Sequence, residues 1–201
     1  MKISTLEELR NLYALPRERA VKKQLPRLDA HCRRFIALSP FVVMATGGAT
    51  GTMDASPRGG APGFVKVTVE GDLLIPDAPG NNRLDSLDNV LATGRVGLLF
   101  LIPGVDETLR VNGAAVLSRA AEDIAQCADE RRAPKLVIRV TVDETFLHCA
   151  KALLRSRLWD ESAKIDRAVL PTMGRMLNEQ TGIETPPETQ EEMIKRYAPD
   201  L

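Results

Sequence analysis

IPDAPGNNRLDSL, residues 75–87, is the stretch around which the rest of this sequence is arranged. An apolar run ends at Pro76, turn-forming residues follow, and a helical pattern begins at Arg83. We therefore predict a strand, a polar loop and a helix start in succession. Free N–H groups in a first helical turn attract anions, as does a nearby arginine, so the loop is a candidate phosphate site. The alternative is a plain strand-to-helix connection capped by Asn82.

The composition is that of a globular domain without a charge bias. The chain has 201 residues, an apolar fraction of 44% and a formal net charge of zero. Balanced charge gives no general attraction to nucleic acid or to anionic membranes, so any anion site must be local. Cys32, Cys127 and Cys149 form no paired motif, and two isolated histidines do not make a metal site. The charged first residues and the lack of a long apolar run predict a cytoplasmic protein.

Alternating and β-branched segments in the middle of the chain predict antiparallel strands. These segments are FVVMA (41–45), TMDAS (52–56), FVKVTV (64–69), LLI (73–75), VGLLFLI (96–102), TLRVNGAAVLS (108–118) and KLVIRVTV (135–142). We predict an irregular loop at 57–63 and a tight hairpin turn at 70–72. One helix, 83–91, interrupts the series. The fold class is therefore mainly β, a small barrel of six or seven antiparallel strands rather than a sandwich.

Helical patterns flank the strands on both sides. We predict two or three helices before Pro40, the first capped by Ser4 with Glu7 at capping-box spacing, and a helix from His148 to Trp159. The organisation is then an N-terminal helical extension (1–40), a barrel domain (41–145) and a C-terminal helical extension (146–201) that packs on it. Neither glycine-rich loop precedes a helix, which argues against dinucleotide and P-loop sites, and the lack of GxSxG argues against serine hydrolysis.

Polar and basic side chains recur along neighbouring strands, most of them at strand ends and Lys66 in the middle of a strand. They are Ser56, Arg58, Lys66, Asn81, Asn82 and Arg83. Arginine offers a bidentate fork and lysine a point charge, so together they suit a phosphate and the polar edge of a flat ring. The alternative is a set of ordinary solvated charges on barrel strands.

The order of motifs resembles the flavin-binding split-barrel family related to pyridoxamine 5′-phosphate oxidase. It runs from FVKVTV (64–69) through PGNNRLDSL (79–87) to RVGLLFLI (95–102) and LRVNGAAVLS (109–118). DASPRGG (54–60) and HCAKALLRSRLW (148–159) are similar to a bacterial subgroup described as oxidase-related FMN-binding proteins. The resemblance covers about residues 41–142. It implies a split β-barrel, a homodimer, and FMN held at the interface between the two subunits.

The resemblance also implies roles for individual residues. Arg83 and Asn82 match the helix-start positions that hold the FMN phosphate, although Asn82 departs from the arginine–lysine or serine–arginine pair common there. Arg58 and Lys66 match strand positions that bind the phosphate and the edge of the flavin ring. Ser56 is a polar neighbour at the end of the first of these strands. The glycine-rich insertion after Arg58 makes its register the least constrained.

A second set would come from the other subunit. Thr108 falls where the family has a polar residue that reaches the flavin across the interface. Arg155, Ser156 and Trp159 are candidates for a further contribution from the C-terminal helix. For Trp159 the alternative is an aromatic anchor that packs this helix on the barrel of its own chain.

The activity implied by the resemblance is that of an FMN-dependent oxidoreductase of unknown substrate. FMN N5 would exchange a hydride with a reduced nicotinamide or an organic substrate, with Lys66 or Arg58 stabilising negative charge on the reduced ring. The residues that the vitamin-forming oxidase uses for pyridoxal phosphate have no match after Trp159, which argues against that activity. Two alternatives stay open. One is a non-catalytic protein that sequesters flavin or haem, with His148 or His31 as haem ligand, and the other is a structural dimer without cofactor.

Overall fold

Seven antiparallel strands form one curled sheet in the computed structural model, which describes residues 2–130, 132–186 and 188–200. The strands are β1 (Phe41–Gly47), β2 (Met53–Gly59), β3 (Lys66–Val67), β4 (Leu73–Pro76), β5 (Arg95–Leu101), β6 (Thr108–Ser118) and β7 (Val137–His148). Their order across the sheet is β2-β1-β5-β6-β7-β4-β3. The prediction of a mainly β split barrel with six or seven antiparallel strands and helical extensions is confirmed.

Helices precede the sheet, interrupt it and follow it. The α-helices are α1 (Leu6–Arg10), α2 (Glu18–Lys22), α3 (Ala30–Leu38), α4 (Asp85–Thr93), α5 (Ala121–Cys127), α6 (Lys151–Ser156), α7 (Met173–Thr181) and α8 (Gln190–Tyr197). Three short 3₁₀ turns lie at Glu161–Ala163, Arg167–Val169 and Ala198–Asp200. Over the described residues, no helix is long and apolar enough to cross a membrane. The division into three segments stays a prediction.

The inner face of the sheet forms the main core. Its fully buried side chains include Val42, Met44, Leu98, Phe100, Leu109, Val111, Ile138 and Val140. Burial of each such side chain contributes about 1.5–3 kcal/mol relative to leaving it in water. Cys32 and Ile36 of α3 and Leu87 and Val90 of α4 pack against the same cluster. These two helices therefore complete the core on the inner face of the sheet.

Helix α5 covers part of the outer face through an apolar contact and a charged network. Leu74 of β4 packs under it, away from the main core. Asp123, only 1% exposed, accepts a hydrogen bond of 2.6 Å from Ser118 Oγ and pairs with Arg139 Nη1 at 2.8 Å. Arg139 Nε in turn pairs with Asp72 Oδ2 at 2.9 Å. The network joins α5 to the ends of three strands.

The region between β2 and β4 corrects two sequence predictions. β2 continues through Arg58 to Gly59, where we predicted an irregular loop, because this segment pairs with β1 along its whole length. β3 is shorter than predicted. The tight turn begins early, with the Thr68 N–H donating to the Asp72 carbonyl at 2.9 Å and Gly71 at φ +101°. Thr68 is therefore buried and Val69 exposed, so the strand alternation of FVKVTV does not continue to its end.

Two helix boundaries were also predicted wrongly. The first helix is capped by Thr5 with Glu8 in a capping box, one residue later than the predicted Ser4 and Glu7. β7 runs on to His148 because its second half pairs with β6, so His148 ends a strand. The helix predicted from His148 begins only at Lys151.

Candidate functional site

The inner face of β2 carries three polar side chains at a free edge of the sheet. Asp54, Ser56 and Arg58 are half-buried and alternate with exposed residues. Each pairs in register with a buried residue of β1, so the three side chains share a face with the core. Polar groups in such a position need partners, because burial without hydrogen bonds costs free energy.

The loop between β4 and α4 spans this row of polar residues. At its start, Asp77 Oδ1 lies 3.8 Å from Arg58 Nη1. Just after its end, in the first turn of α4, Ser86 Oγ donates a 2.5 Å hydrogen bond to Asp54 Oδ2. Ser56 lies between these two anchors on β2. The fold therefore brings Ser56 and Arg58 together with the loop that we predicted to hold a phosphate.

Arg58 has hydrogen-bonding capacity that the chain itself does not use. Its side chain is 20% exposed, and its Nε is buried without a hydrogen-bond partner among the described residues. Its 3.8 Å approach to Asp77 is an ion pair but too long for a hydrogen bond. A buried donor without a partner is unfavourable, and an anion in the right position would relieve that cost. Arg58 is therefore the residue that best fits a phosphate.

The loop does not form the helix start predicted at Arg83. Helix α4 begins at Asp85, and its N-cap, Leu84, contributes no side-chain cap bond. Asn82 has φ 59°, in the left-handed region that asparagine tolerates, and Asn81 Oδ1 accepts a 3.0 Å hydrogen bond from the Arg83 N–H. Asn82 as helix cap and Arg83 as first helical residue are therefore wrong. The reason is that the Asn81 side chain and the left-handed turn delay the helix.

Arg83 remains beside the loop with its charge directed to solvent. Its side chain is 75% exposed, and its Nε pairs with Asp85 Oδ2 at 2.9 Å. An exposed pair of this kind is weak, so the guanidinium is free to exchange partners. Its role as a phosphate ligand stays a prediction.

Lys66 lies on the opposite face of the sheet from Arg58. It pairs in register with Leu74, whose side chain packs under α5 on the outer face. Its Nζ donates a 2.9 Å hydrogen bond to the Gly63 carbonyl. We predicted that Lys66 acts together with Arg58, but the register of β3 separates the two side chains within one chain.

The second predicted set lies around the start of β6. Thr108, 9% exposed, pairs in register with His148 at the end of β7. Trp159 is half-buried, and its Nε1–H donates a 2.9 Å hydrogen bond to the Val105 carbonyl in the turn just before β6. This contact favours the packing role for Trp159 within its own chain. A contribution to a partner subunit stays a prediction.

Arg155 and Ser156 lie exposed on α6, after the end of β7. Thr108 lies on the outer face of the sheet, and Arg155 and Ser156 lie on the helix that follows it. Ser56 and Arg58 lie on the inner face, at the β2 edge of the sheet. The predicted residues therefore form two groups, which one chain does not bring into contact.

A shallow groove of about 740 Å³ on the outer face was not foreseen from sequence. Its floor consists of small residues, Ala45, Gly47 and Gly97, and Asn112 and Glu144 form one wall. Small residues at alternate strand positions give no signal in a single sequence, because they look like ordinary strand residues. Only the register of β1, β5 and β6 places them side by side.

A comparison of the sequence with models of known families identifies a match. Residues 28–149, more than half of the chain, match the sequence model of a family described as pyridoxamine 5′-phosphate oxidase. No curated protein matches significantly.

Similar solved structures include HupZ from Group A Streptococcus, with 14% identity over 60% of this chain and 93% of that one and a TM-score of 0.49. An FMN-binding protein from Syntrophomonas wolfei has 11% identity over 58% of this chain and 83% of that one, with a TM-score of 0.47. The haem storage protein HutZ from Vibrio cholerae has 14% identity over 61% and 94%, with a TM-score of 0.42. Likeness at this level carries no argument about ligands.

Proposed function

Because the chain belongs to the pyridoxamine 5′-phosphate oxidase family, we propose that it binds FMN and acts as an FMN-dependent oxidoreductase. The observation that carries this proposal is the buried Nε of Arg58, which has no hydrogen-bond partner among the described residues, while Nη1 of the same guanidinium lies 3.8 Å from Asp77 of the polar loop. Guanidinium groups bind phosphate well because their planar forks match its oxygen atoms.

The residues around the loop suit the phosphate of FMN. Arg58 would supply the main charge, and the Ser56 hydroxyl beside it a hydrogen bond. Asn81 and Asn82 offer side-chain amides from the loop, and the exposed Arg83 offers a second positive charge. A site with two arginines and neutral donors binds an anion without requiring a basic protein overall.

We propose further that two copies of the chain complete each site. Arg58 lies on the inner face at a sheet edge, whereas Thr108 lies on the outer face near α6 and Trp159. A second copy would bring Thr108, with Arg155 and Ser156, to the flavin held by the first. The other partner is a small molecule, NAD(P)H or an organic substrate.

When bound, FMN supplies hydride transfer at its N5 atom. The chain's own contribution is to bind the phosphate, orient the ring and place positive charge near it. Arg58 and Lys66 are the candidates for that charge, which would stabilise the negative charge of the reduced ring. Because Lys66 faces away from Arg58 in one chain, its share in this role depends on the second copy.

FMN titration of Arg58 variants tests the binding site. Arg58→Gln should weaken FMN binding by roughly 1.5–3 kcal/mol, the range for hydrogen bonds to charged groups, measured by quenching of flavin fluorescence. Arg83→Ala should weaken it less, because this side chain is three-quarters exposed. Arg34→Gln, an exposed change on α3, is the matched control. A folded Arg58→Gln protein that binds FMN as tightly as the parent would show that the site is elsewhere.

Anaerobic reduction separates an enzyme from a binding protein. Addition of NADPH or NADH to the FMN-loaded protein should bleach the flavin absorbance if the protein is an oxidoreductase. Binding of FMN without reduction by either donor, or by organic reductants, would favour the sequestering alternative. A haem-type absorbance band after mixing with haem, abolished in His148→Gln, would favour a haem-binding role instead.

A further inference from the structure

Positively charged side chains surround one phenyl ring on the outer face of β6 and β7. Lys23 Nζ lies 5.2 Å and Arg110 Cζ 5.3 Å from the centroid of the Phe146 ring, within cation–π range. Arg110 Nη2 also lies 3.5 Å from His148 Nε2. Lys23 is held in place by a 2.8 Å hydrogen bond from its Nζ to the Leu147 carbonyl. We call Lys23, Arg110, Phe146 and His148 the Phe146 cluster.

The described part of the chain does not neutralise this cluster. Neither Lys23 nor Arg110 has a described carboxylate within ion-pair distance. Glu144 lies two residues before Phe146 on the same strand, but its oxygens accept hydrogen bonds from Asn112 Nδ2 at 2.5 Å and from Gln24 Nε2. The carboxylate keeps its negative charge but is hydrogen-bonded to neutral amides, and it forms no ion pair with Lys23 or Arg110.

The pKa of His148 is affected by the same positive charges. Burial, followed by the charges of Arg110 and Lys23, lowers the pKa of His148 from its ordinary value of 6.5. Two like charges around one ring, neither of them in an ion pair with a described residue, favour the binding of an anion.

The position of the cluster relates it to the proposed flavin site. His148 pairs in register with Thr108, and Phe146 pairs with Arg110, on the face that would approach the flavin of a second copy. We propose that the Phe146 cluster binds the phosphate or carboxylate group of a small organic anion, the substrate or electron donor, at a site separate from the FMN phosphate. Its placement beside flavin rests on the proposed function, whereas anion binding by the cluster does not.

Proton NMR of the two histidines gives a direct test, because the chain has only His31 and His148. Inorganic phosphate is the probe. We expect the His148 C2–H signal to shift saturably and its pKa to rise, while the exposed His31 on α3 stays unchanged. His148→Gln assigns the two signals.

Two variants connect that response to the cluster. Arg110→Gln and Lys23→Met should each weaken the phosphate response of His148 by about tenfold, the loss of one charged hydrogen bond. Arg34→Gln should leave it as in the parent. Equal responses of both histidines, or parent-like phosphate affinity in the folded Arg110→Gln and Lys23→Met proteins, would overturn the proposal.

Flavins distinguish the two possible sources of the anion. FMN and riboflavin share the ring system and differ by the phosphate. Three results together would mean that the cluster holds the FMN phosphate. Saturating FMN shifts the His148 signal as phosphate does, riboflavin does not shift it, and phosphate added to the FMN-saturated protein has no further effect. This outcome would overturn the proposal that the cluster binds a second ligand. If phosphate still shifts His148 in the FMN-saturated protein, the proposal is upheld. If FMN does not bind but the phosphate response persists, the cluster site stands and the proposed function fails.

Discussion

Arg58 Nη1 lies 3.8 Å from Asp77 Oδ1, and this contact joins the edge strand β2 to the loop that leaves β4. The two strands are separated by four others in the sheet, so the contact closes the curled sheet at the proposed phosphate site. The carboxylate of Asp77 is also the group that an incoming phosphate must displace or tolerate, because both anions use the same guanidinium.

Asp77→Asn should therefore strengthen FMN binding. Removal of one negative charge about 4 Å from the guanidinium is worth roughly 1 kcal/mol in a solvent-accessible setting, or about fivefold in affinity. The free energy of unfolding should change by less than about 1 kcal/mol, because the pair is partly exposed. FMN titration by fluorescence measures the first and urea unfolding the second.

The control for this change is Asp143→Asn, which removes a carboxylate from the exposed pair with Arg95. This variant should leave FMN affinity unchanged. Weaker FMN binding by Asp77→Asn would contradict competition and would mean that Asp77 holds Arg58 in its binding position.

Local patterns were sufficient to predict the strands but not the faces that their residues share. β6 was predicted at its observed bounds, Thr108–Ser118, because an alternating pattern is a property of the segment itself. Arg58 and Lys66 were predicted to act together because both are basic residues on neighbouring segments of the chain. Their separation onto opposite faces depends on pairing with β1 and β4, which is set by residues distant in the sequence.

The candidate loop shows a second limit of sequence reasoning. Asn82 and Arg83 fit a helix start by residue type, and the helix that follows was predicted correctly in kind. The side chain of Asn81, however, binds the Arg83 N–H and moves the helix start to Asp85. Asparagine side chains compete with regular backbone structure in this way, and a single sequence does not show which alternative prevails.

Asp123→Ala should destabilise the fold strongly. Asp123 is 1% exposed and holds both Arg139 Nη1 and Ser118 Oγ, so its loss leaves two donors without their partner. Removal of one member of a buried pair costs about 3–5 kcal/mol. Because Arg139 keeps Asp72 and is partly exposed, we expect about 2 kcal/mol, measured by urea unfolding.

The matched change is Asp143→Ala, which breaks the exposed pair with Arg95 and should cost at most about 1 kcal/mol. Equal losses of unfolding free energy in the two variants would contradict a structural role for the Asp123 network.

Gly113→Ala should also destabilise the protein, because Gly113 lies at an irregularity between β6 and β7. A Cβ there would stand 2.2 Å from the Thr141 carbonyl oxygen and 3.0 Å from Val140 Cγ1. Overpacking of this kind costs about 1–3 kcal/mol. Gly80→Ala is the control, since no described atom lies within 4 Å of its added methyl group. A parent-like unfolding midpoint for Gly113→Ala would mean that the strands shift freely at this point.

His148 should make the stability of the fold depend on pH. Its pKa is lowered in the folded chain by burial and by Arg110 and Lys23, and returns to about 6.5 on unfolding. As pH falls below about 6.5, the unfolded chain takes up this proton first, so the free energy of unfolding falls. The decline ends once pH passes below the folded-state pKa. At a pH about one unit or more above 6.5 the residue contributes almost no pH dependence, because it is then neutral in both states.

Urea unfolding at about pH 7.5 and pH 5.5, on either side of the ordinary histidine pKa, measures how much stability this proton uptake removes. His148→Gln should lose less stability between the two pH values than the parent, and Arg110→Gln should behave similarly because it removes one source of the pKa shift. His31→Gln is the control, since His31 is exposed on α3. If His148→Gln and the parent lose the same free energy of unfolding on acidification, neither burial nor the charges of Arg110 and Lys23 lower the pKa of His148 in the folded protein.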